Sequence, residues 1–168
     1  MTQNPAHSSP AGRNPNLLGI ISDTHGLLRP EALQALRGSA LVIHAGDVGN
    51  PEILDALRKI APVVAVRGNV DTAAWAQSLP ISATAELAGT SIYVLHDLSQ
   101  LDINPAAAGF HIVVSGHSHK PGTSERSGVL YLNPGSAGPR RFQLPITLAR
   151  LDLSQSPLKV EFIELAKN

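Results

Sequence analysis

Five stretches of this chain run apolar and then stop on a residue that can bind a cation or move a proton. Leu17-Leu18-Gly19-Ile20-Ile21 leads into Asp23 and His25, and Leu41-Val42-Ile43-His44-Ala45-Gly46 closes on Asp47. Val63-Val64-Ala65-Val66-Arg67-Gly68 closes on Asn69, and Ser91-Ile92-Tyr93-Val94-Leu95 on His96. His111-Ile112-Val113-Val114-Ser115 leads through Gly116 to His117 and His119. Short apolar runs of this kind read as buried strands. In an open α/β sheet, ligands bind outside the carboxyl ends of the strands. A core with no site to build has no reason to repeat that ending five times.

The punctuation between the runs sets the topology. Pro30 to Arg37 reads as a helix with Leu33 and Leu36 on one face, stopped by Gly38. Asn50-Pro51-Glu52 is a helix start, with Asn as the cap and Pro at the first helical position. Ile53, Leu54, Leu57 and Ile60 then recur at helical spacing. Strand, helix, strand, helix, strand through residue 69 is a βαβαβ pattern, hence a parallel sheet with right-handed crossovers. The second half differs. Ile81, Ala83, Ala85 and Leu87 alternate before Ala88-Gly89-Thr90, which predicts a hairpin into the strand ending at His96. A short helix is expected over Asn104 to Ala108. Strands are expected over Val129 to Leu132, Ile146 to Leu153 and Leu158 to Leu165, the second of them with one half-buried face. Such a mixture fits an α/β fold of two packed sheets with helices outside.

The length, 168 residues, suits one domain with a real core. Formal net charge is zero, so no global field favours nucleic acid or an anionic membrane, although a nucleotide could still bind locally. Cysteine is absent, which excludes disulfides and thiol catalysis. No apolar stretch approaches the ~20 residues needed to span a bilayer. Residues 1–16 are rich in Asn, Pro, Ser and Gly, without the basic start and apolar centre of a signal peptide. They are expected to form a disordered tail ahead of a domain over 17–168, and the cytoplasm is the default location.

Aspartate, histidine and asparagine at neighbouring strand ends suit divalent cations, two rather than one. In Gly116-His117-Ser118-His119 the two imidazoles are spaced i, i+2, as Asp23 and His25 are. Residues at that spacing share a face of a strand, so each pair is expected to aim into one space. Two metals about 3.5–4 Å apart can supply a nucleophile near neutral pH and neutralise charge in a transition state.

The ordered set Asp23-Thr24-His25, Gly46-Asp47, Gly68-Asn69-Val70-Asp71, His96 and Gly116-His117-Ser118-His119 resembles the calcineurin-like metallophosphoesterases. It is most similar to their small bacterial and archaeal single-domain phosphodiesterases, which also share the segment Asn133-Pro134-Gly135-Ser136. The resemblance runs from about Leu17 to about Leu165. It implies a four-layer αββα sandwich of two mixed sheets flanked by helices. It also implies a dinuclear centre in which Asp47 bridges, Asp23, His25 and His119 complete one metal, and Asn69, His96 and His117 complete the other. A metal-bridging hydroxide then attacks phosphorus, with Asp47, Asn69 and His96 as the expected catalytic residues. The mixed ligands suit Mn, Fe, Zn or Ni, with manganese the first expectation. A small phosphodiester or nucleotide is the expected substrate, and self-association is plausible for such a chain.

Two positions depart from the family. Val70 stands where larger relatives carry a His that can protonate the leaving oxygen, which leaves the general acid unassigned. Asp97 stands where Gly is usual, and its carboxylate could orient His96, crowd the phosphate or point away. Two other functions compete: a phosphomonoesterase on a small metabolite, and a protein-binding scaffold like the retromer subunit of this fold. Among the remaining candidates, His44 is expected to be buried and hydrogen-bonded rather than a ligand, and His111 to lie at a surface or edge. Asp71 is expected to support the loop after Asn69. Asn133 to Ser136 should form a tight turn that shapes the site floor. Arg140 and Arg141 should be solvated, Trp75 should pack or make a subunit contact, and His7 should have no role.

Overall fold

The apolar runs pair as strands in the computed structural model, which describes residues 12–166. In chain order the elements are β1 (Leu17–Ile21), α1 (Pro30–Leu36), β2 (Leu41–His44), α2 (Pro51–Arg58), β3 (Val63–Ala65), β4 (Ser82–Leu87) and β5 (Thr90–Leu95). They continue with β6 (Ile112–Val114), β7 (Gly122–Arg126), β8 (Val129–Asn133), β9 (Thr147–Asp152) and β10 (Val160–Glu164). Single 3₁₀ turns cover Ala74–Ser78 and Leu98–Gln100. One sheet has the order β10-β9-β1-β2-β3 and the other β4-β5-β6-β8-β7. Both are mixed. β1 and β2 pair in parallel, as do β2 and β3, while β9 is antiparallel to β1 and to β10. In the second sheet β5, β6 and β8 run parallel, and β4 and β7 are antiparallel at its edges.

The core lies in layers. Leu18, Ile20, Ile43, Ile92, Val94, Ile112, Val114, Ala149 and Leu151 fill the space between the sheets. Ile21, Leu36, Val42, Leu54, Leu57 and Leu148 form a second cluster where α1 and α2 cover the first sheet. Pro51 begins α2, and the Asn50 side chain accepts from the Glu52 N–H, satisfying an orphan donor at the helix start. The outer face of the second sheet is thinly covered. Leu95, Val113, Val129 and Tyr131 there pack with Tyr93, Leu98 and Leu101, and Arg126 lies over the Tyr131 ring.

Several expectations need correction. No helix forms over Asn104 to Ala108. The Asn104 carbonyl accepts from Ala108 N–H at 3.0 Å, but the left-handed Gly109 (φ 85°) turns the chain after this single turn. β9 does keep its expected half-buried face: Thr147, Ala149 and Leu151 are buried on one side, while on the other Arg150 and Asp152 are half-buried and Leu148 packs under the helices. β7 had no counterpart in the sequence reading, because Gly122-Thr-Ser-Glu-Arg126 is an exposed edge strand without apolar alternation. The tail expectation over 1–16 meets the structure only from residue 12. There Asn14 N–H donates to the Gly38 carbonyl, its side chain donates to Asp152 Oδ2, and the Asn16 carbonyl accepts from Leu153 N–H. The packed chain therefore starts before Leu17. Residues 1–11, with His7, lie outside the described residues. No helix among the described residues is long and apolar enough to cross a membrane.

Candidate metal centre

The parallel strands β1, β2 and β3 of one sheet and β5 and β6 of the other release their chains at one end of the sandwich. The loops that follow are tied to each other by backbone. Asp23 N–H donates to the Gly46 carbonyl, His25 N–H to Asp47, and Gly116 N–H to His96, at 2.9–3.0 Å. Asp71 completes the frame. Its carboxylate accepts from the N–H groups of Val48, Gly49 and Gly68, which locks the loop after β2 to the loop after β3. Asn133 to Ser136 forms the floor. Asn133 Nδ2 donates to the Gly116 carbonyl and Ser136 Oγ to the Asp23 carbonyl.

All seven candidate residues come together, but not by the expected route. Asp23, His25, Asp47, His117 and His119 all have left-handed backbones, with φ between 47° and 67°. That conformation is uncommon for residues other than glycine, and several together at one site are a mark of function. None of the five lies within a strand. His117 and His119 accordingly do not share a face. They straddle the site. His119 Nε2 lies 3.3 Å from His25 Nε2 and 3.2 Å from Asp23 Oδ1. His117 Nδ1 lies 3.1 Å from Asn69 Oδ1, which in turn lies 3.0 Å from His96 Nε2.

The two carboxylates share one design: one oxygen is anchored and the other faces the cluster. Asp23 Oδ2 accepts from Ser22 Oγ and His117 N–H. Asp47 Oδ1 accepts from Val70 N–H, so Val70 contributes its backbone while its side chain is exposed. Asp47 Oδ2 sits 3.2 Å from His96 Nε2 and 3.8 Å from His25 Nε2. Asp23 Oδ1 is buried and has no hydrogen-bond partner, although three imidazole nitrogens surround it at 3.2, 3.8 and 3.9 Å. A buried anionic oxygen without a partner costs several kcal/mol, roughly, and a cation would satisfy it. The donor chemistry fits divalent ions for the same reason. Asp23, His25 and His119 offer atoms within 4.8 Å of one another, and so do Asp23, Asp47 and His96. Asp23, Asp47, His96 and His119 are buried, while Asn69 and His117 are exposed, so the cluster has a closed floor and one open side.

Titration follows the same geometry. Burial pushes the His25 imidazole below its ordinary value, outweighing Asp47 and Asp23. Burial also lowers His96, but its bonds to Asp47 and to the Ala45 carbonyl prevail and raise it. Burial raises Asp47, but His96 and Val70 N–H overcome this and hold it below the usual carboxylate range. His96 Nδ1 donates to the Ala45 carbonyl at 2.7 Å, which leaves Nε2 facing the site. This carbonyl, and not Asp97, orients His96. Asp97 accepts from Ser99 N–H and Oγ, which keep its carboxyl below the ordinary range, and its Oδ2 lies 3.9 Å from His117 Nε2.

His44 is buried as expected. Its Nδ1 accepts from Gly46 N–H, and its Nε2 meets Thr24 Oγ1 at 2.9 Å while that hydroxyl donates to the Val48 carbonyl. This network fixes the neutral tautomer, and burial pushes the imidazole down to about 4. The unfolded chain takes the proton near the ordinary value of 6.5, so this stabilisation is full above pH 6.5 and is lost as pH falls toward 4. In metal-free protein the His44 contribution to unfolding free energy should fall by roughly 3 kcal/mol through that window, read as the difference in urea midpoints between wild type and His44→Gln. His44→Gln should flatten the slope, and an equal slope in the variant would count against this assignment.

His111 is exposed and its Nδ1 accepts from Ser91 N–H. Trp75 packs against the helix-side core. Arg140 and Arg141 are exposed, as expected. Sequence reasoning missed Ser22 and the Ala45 carbonyl. Ser22 carried no signal beyond preceding Asp23, and a carbonyl carries none at all.

The sequence of this site has clear relatives. Residues 17–156 match the calcineurin-like phosphoesterase superfamily domain, and the chain belongs to that family. A probable metallophosphoesterase of Methanothermobacter thermautotrophicus is 35% identical over 149 residues, covering 81% of this chain and 86% of the relative. The structure of a predicted phosphoesterase from Streptococcus pneumoniae is similar at 25% identity and a TM-score of 0.69, over 89% of each chain. Zinc-bound Vps29 of Entamoeba histolytica is similar at 26% identity and a TM-score of 0.65, over 89% of this chain and 99% of that one.

Proposed function

We propose that this chain hydrolyses phosphodiesters at a centre of two divalent cations. Asp23, His25 and His119 would hold one ion, Asn69, His96 and His117 the other, and Asp47 both. The observation that carries the reading is the position of Asp47 Oδ2, 3.8 Å from His25 on one side and 3.2 Å from His96 on the other. Asp23 Oδ1 has similar surroundings, 3.2 Å from His119 and 3.9 Å from His96, so metal content in Asp47→Ala against Asp23→Ala decides which carboxylate is shared. Bound divalent ions supply a nucleophilic water at neutral pH and neutralise charge on the phosphoryl group. The chain's own part is to fix that geometry. Ser22 and Val70 hold the carboxylates, Ala45 sets the His96 tautomer, and the exposed side between Asn69 and His117 admits the substrate. Manganese is the ion we expect, with iron, zinc or nickel compatible with the same donors.

Diesters should be cleaved faster than monoesters. The Val70 side chain cannot donate a proton, so substrates with good leaving groups are favoured. Asp97, kept ionised by Ser99 beside His117, disfavours a dianionic monoester. The test is metal analysis together with hydrolysis of bis(p-nitrophenyl) phosphate and p-nitrophenyl phosphate under several divalent ions. Chelation should abolish turnover, and full activity in stripped protein would sink the metal mechanism. Faster monoester turnover with every ion would favour the monoesterase reading instead. The likeness to Vps29 supports a second reading as a protein-binding scaffold. Because that structure holds zinc, ion binding alone does not separate the two readings, whereas turnover does.

A further inference from the structure

A cavity of about 510 Å³ opens directly from the donor cluster, beginning at Asn69 and His96. A phosphoryl group with two small substituents needs no such space, and the volume falls in the range of about 300–1,000 Å³ typical of sites for whole organic ligands. Its composition is specific. Ile81, Tyr93 and Leu95 are its apolar lining residues, with the Tyr93 ring backed by Phe110 at 5.3 Å between centroids. Arg67 brings a guanidinium, one nitrogen of which bonds Gln77 Oε1 at 2.7 Å. Asp97 and Asp102 bring carboxylates. Thr72 and Ser82, two hydroxyl-bearing residues, complete the lining with Tyr93.

Each feature narrows the occupant. A planar ring gains from packing on Tyr93 and the aliphatic side chains beside it. Carboxylates are hydrogen-bond acceptors suited to sugar hydroxyls and exocyclic amines. Two of them beside one guanidinium disfavour a further phosphate. An alkyl chain would leave the polar wall desolvated without partners, which is costly.

On the reading of the chain as a phosphodiesterase, we propose that this cavity holds an uncharged nucleoside, the arm that stays on phosphorus while the other ester bond breaks. The water oxygen bonds to phosphorus, and the P–O bond to the second alcohol breaks. That alcohol leaves with one proton of the water, the other goes to solvent, and a nucleoside monophosphate remains. The extra negative charge of this product faces Asp97, which favours release. Binding energy from the non-reacting nucleoside can then be used at the reacting centre.

The test compares thymidine 5′-(p-nitrophenyl phosphate) with methyl p-nitrophenyl phosphate, which share a leaving group and differ in the retained arm. The thymidine ester should have a kcat/KM at least roughly tenfold higher. Ser82→Trp and Thr72→Trp, at two separate exposed points on the wall, should each collapse that ratio. Melting temperatures establish that they fold. Equal kcat/KM for the two diesters, or a ratio unchanged in both folded variants, overturns the proposal. Calorimetric titration of thymidine into metal-free protein reads the cavity without catalysis. Saturable binding weakened by either tryptophan supports the proposal, and absence of saturation overturns it. If neither diester is cleaved with any ion, the phosphodiesterase reading itself fails, and the thymidine titration still decides what the cavity binds.

Discussion

Asp47→Ala is expected to leave the protein unable to retain either ion and to lower turnover of an activated diester by well over roughly a hundredfold. Groups that merely orient a metal ligand are already worth about 10–100-fold in affinity or activity. Asp47 does more on the proposed assignment. One oxygen faces histidines of both ion positions, and the other holds Val70 N–H, which fixes the loop carrying Asn69. Asp23→Ala makes the informative comparison. Its free oxygen lies nearest His119, so that variant should retain one ion more readily than Asp47→Ala does. The measurement is metal content per chain beside kcat for each variant. An Asp47→Ala protein with two ions and most of its turnover would take Asp47 out of the shared position.

Gly68→Ala should be nearly as damaging, although it removes no donor atom. A Cβ at residue 68 would overlap the Asp47 backbone nitrogen and side chain. The carboxylate would have to move, yet it is held by Val70 N–H, and Gly68 N–H is itself bound to Asp71. Overpacking in a tightly packed region typically costs about 1–3 kcal/mol. Here the clash falls on Oδ1, which Val70 anchors, and displacing it carries along Oδ2, which faces His25 and His96. We expect a lowered melting temperature and the loss of most metal affinity. Gly116→Ala tests the same idea from the other sheet, because its Cβ would meet Ser22 Oγ and Asp23 Oδ2. Wild-type metal content in both variants would show that the loops can yield.

These glycines mark what could be read from the sequence. Gly46-Asp47, Gly68-Asn69 and Gly116-His117 announced the site as motifs, and the seven side chains they and their neighbours carry do lie together. What the motifs could not convey is why glycine precedes each donor. Backbone from one loop passes against a carboxylate or imidazole from another, and such proximity has no local signal. His117 and His119 do not share a strand face, for a related reason. Both sit in left-handed turns beyond β6, His119 beside Asp23 and His25 and His117 beside Asn69. The βαβαβ half was legible because burial on both sides of β1 and β2 writes continuous apolar runs. β7 was not, because an exposed edge strand carries no hydrophobic period.

The division of the donors between the sheets has a mechanical consequence. Asp23, His25, Asp47 and Asn69 follow strands of the first sheet, while His96, His117 and His119 follow strands of the second. Away from this end, the sheets hold to each other mainly through apolar side chains, which resist separation but constrain sliding weakly. An ion bound by donors from both sides would act as a rivet at one end of the seam. Its affinity would then add to the stability of the whole sandwich, by about 2.7 kcal/mol at a free concentration one hundred times the dissociation constant. Loss of the ion would let the sheets slide more freely at that end, and amide exchange would rise along β5 and β6 as well as along β1 and β2.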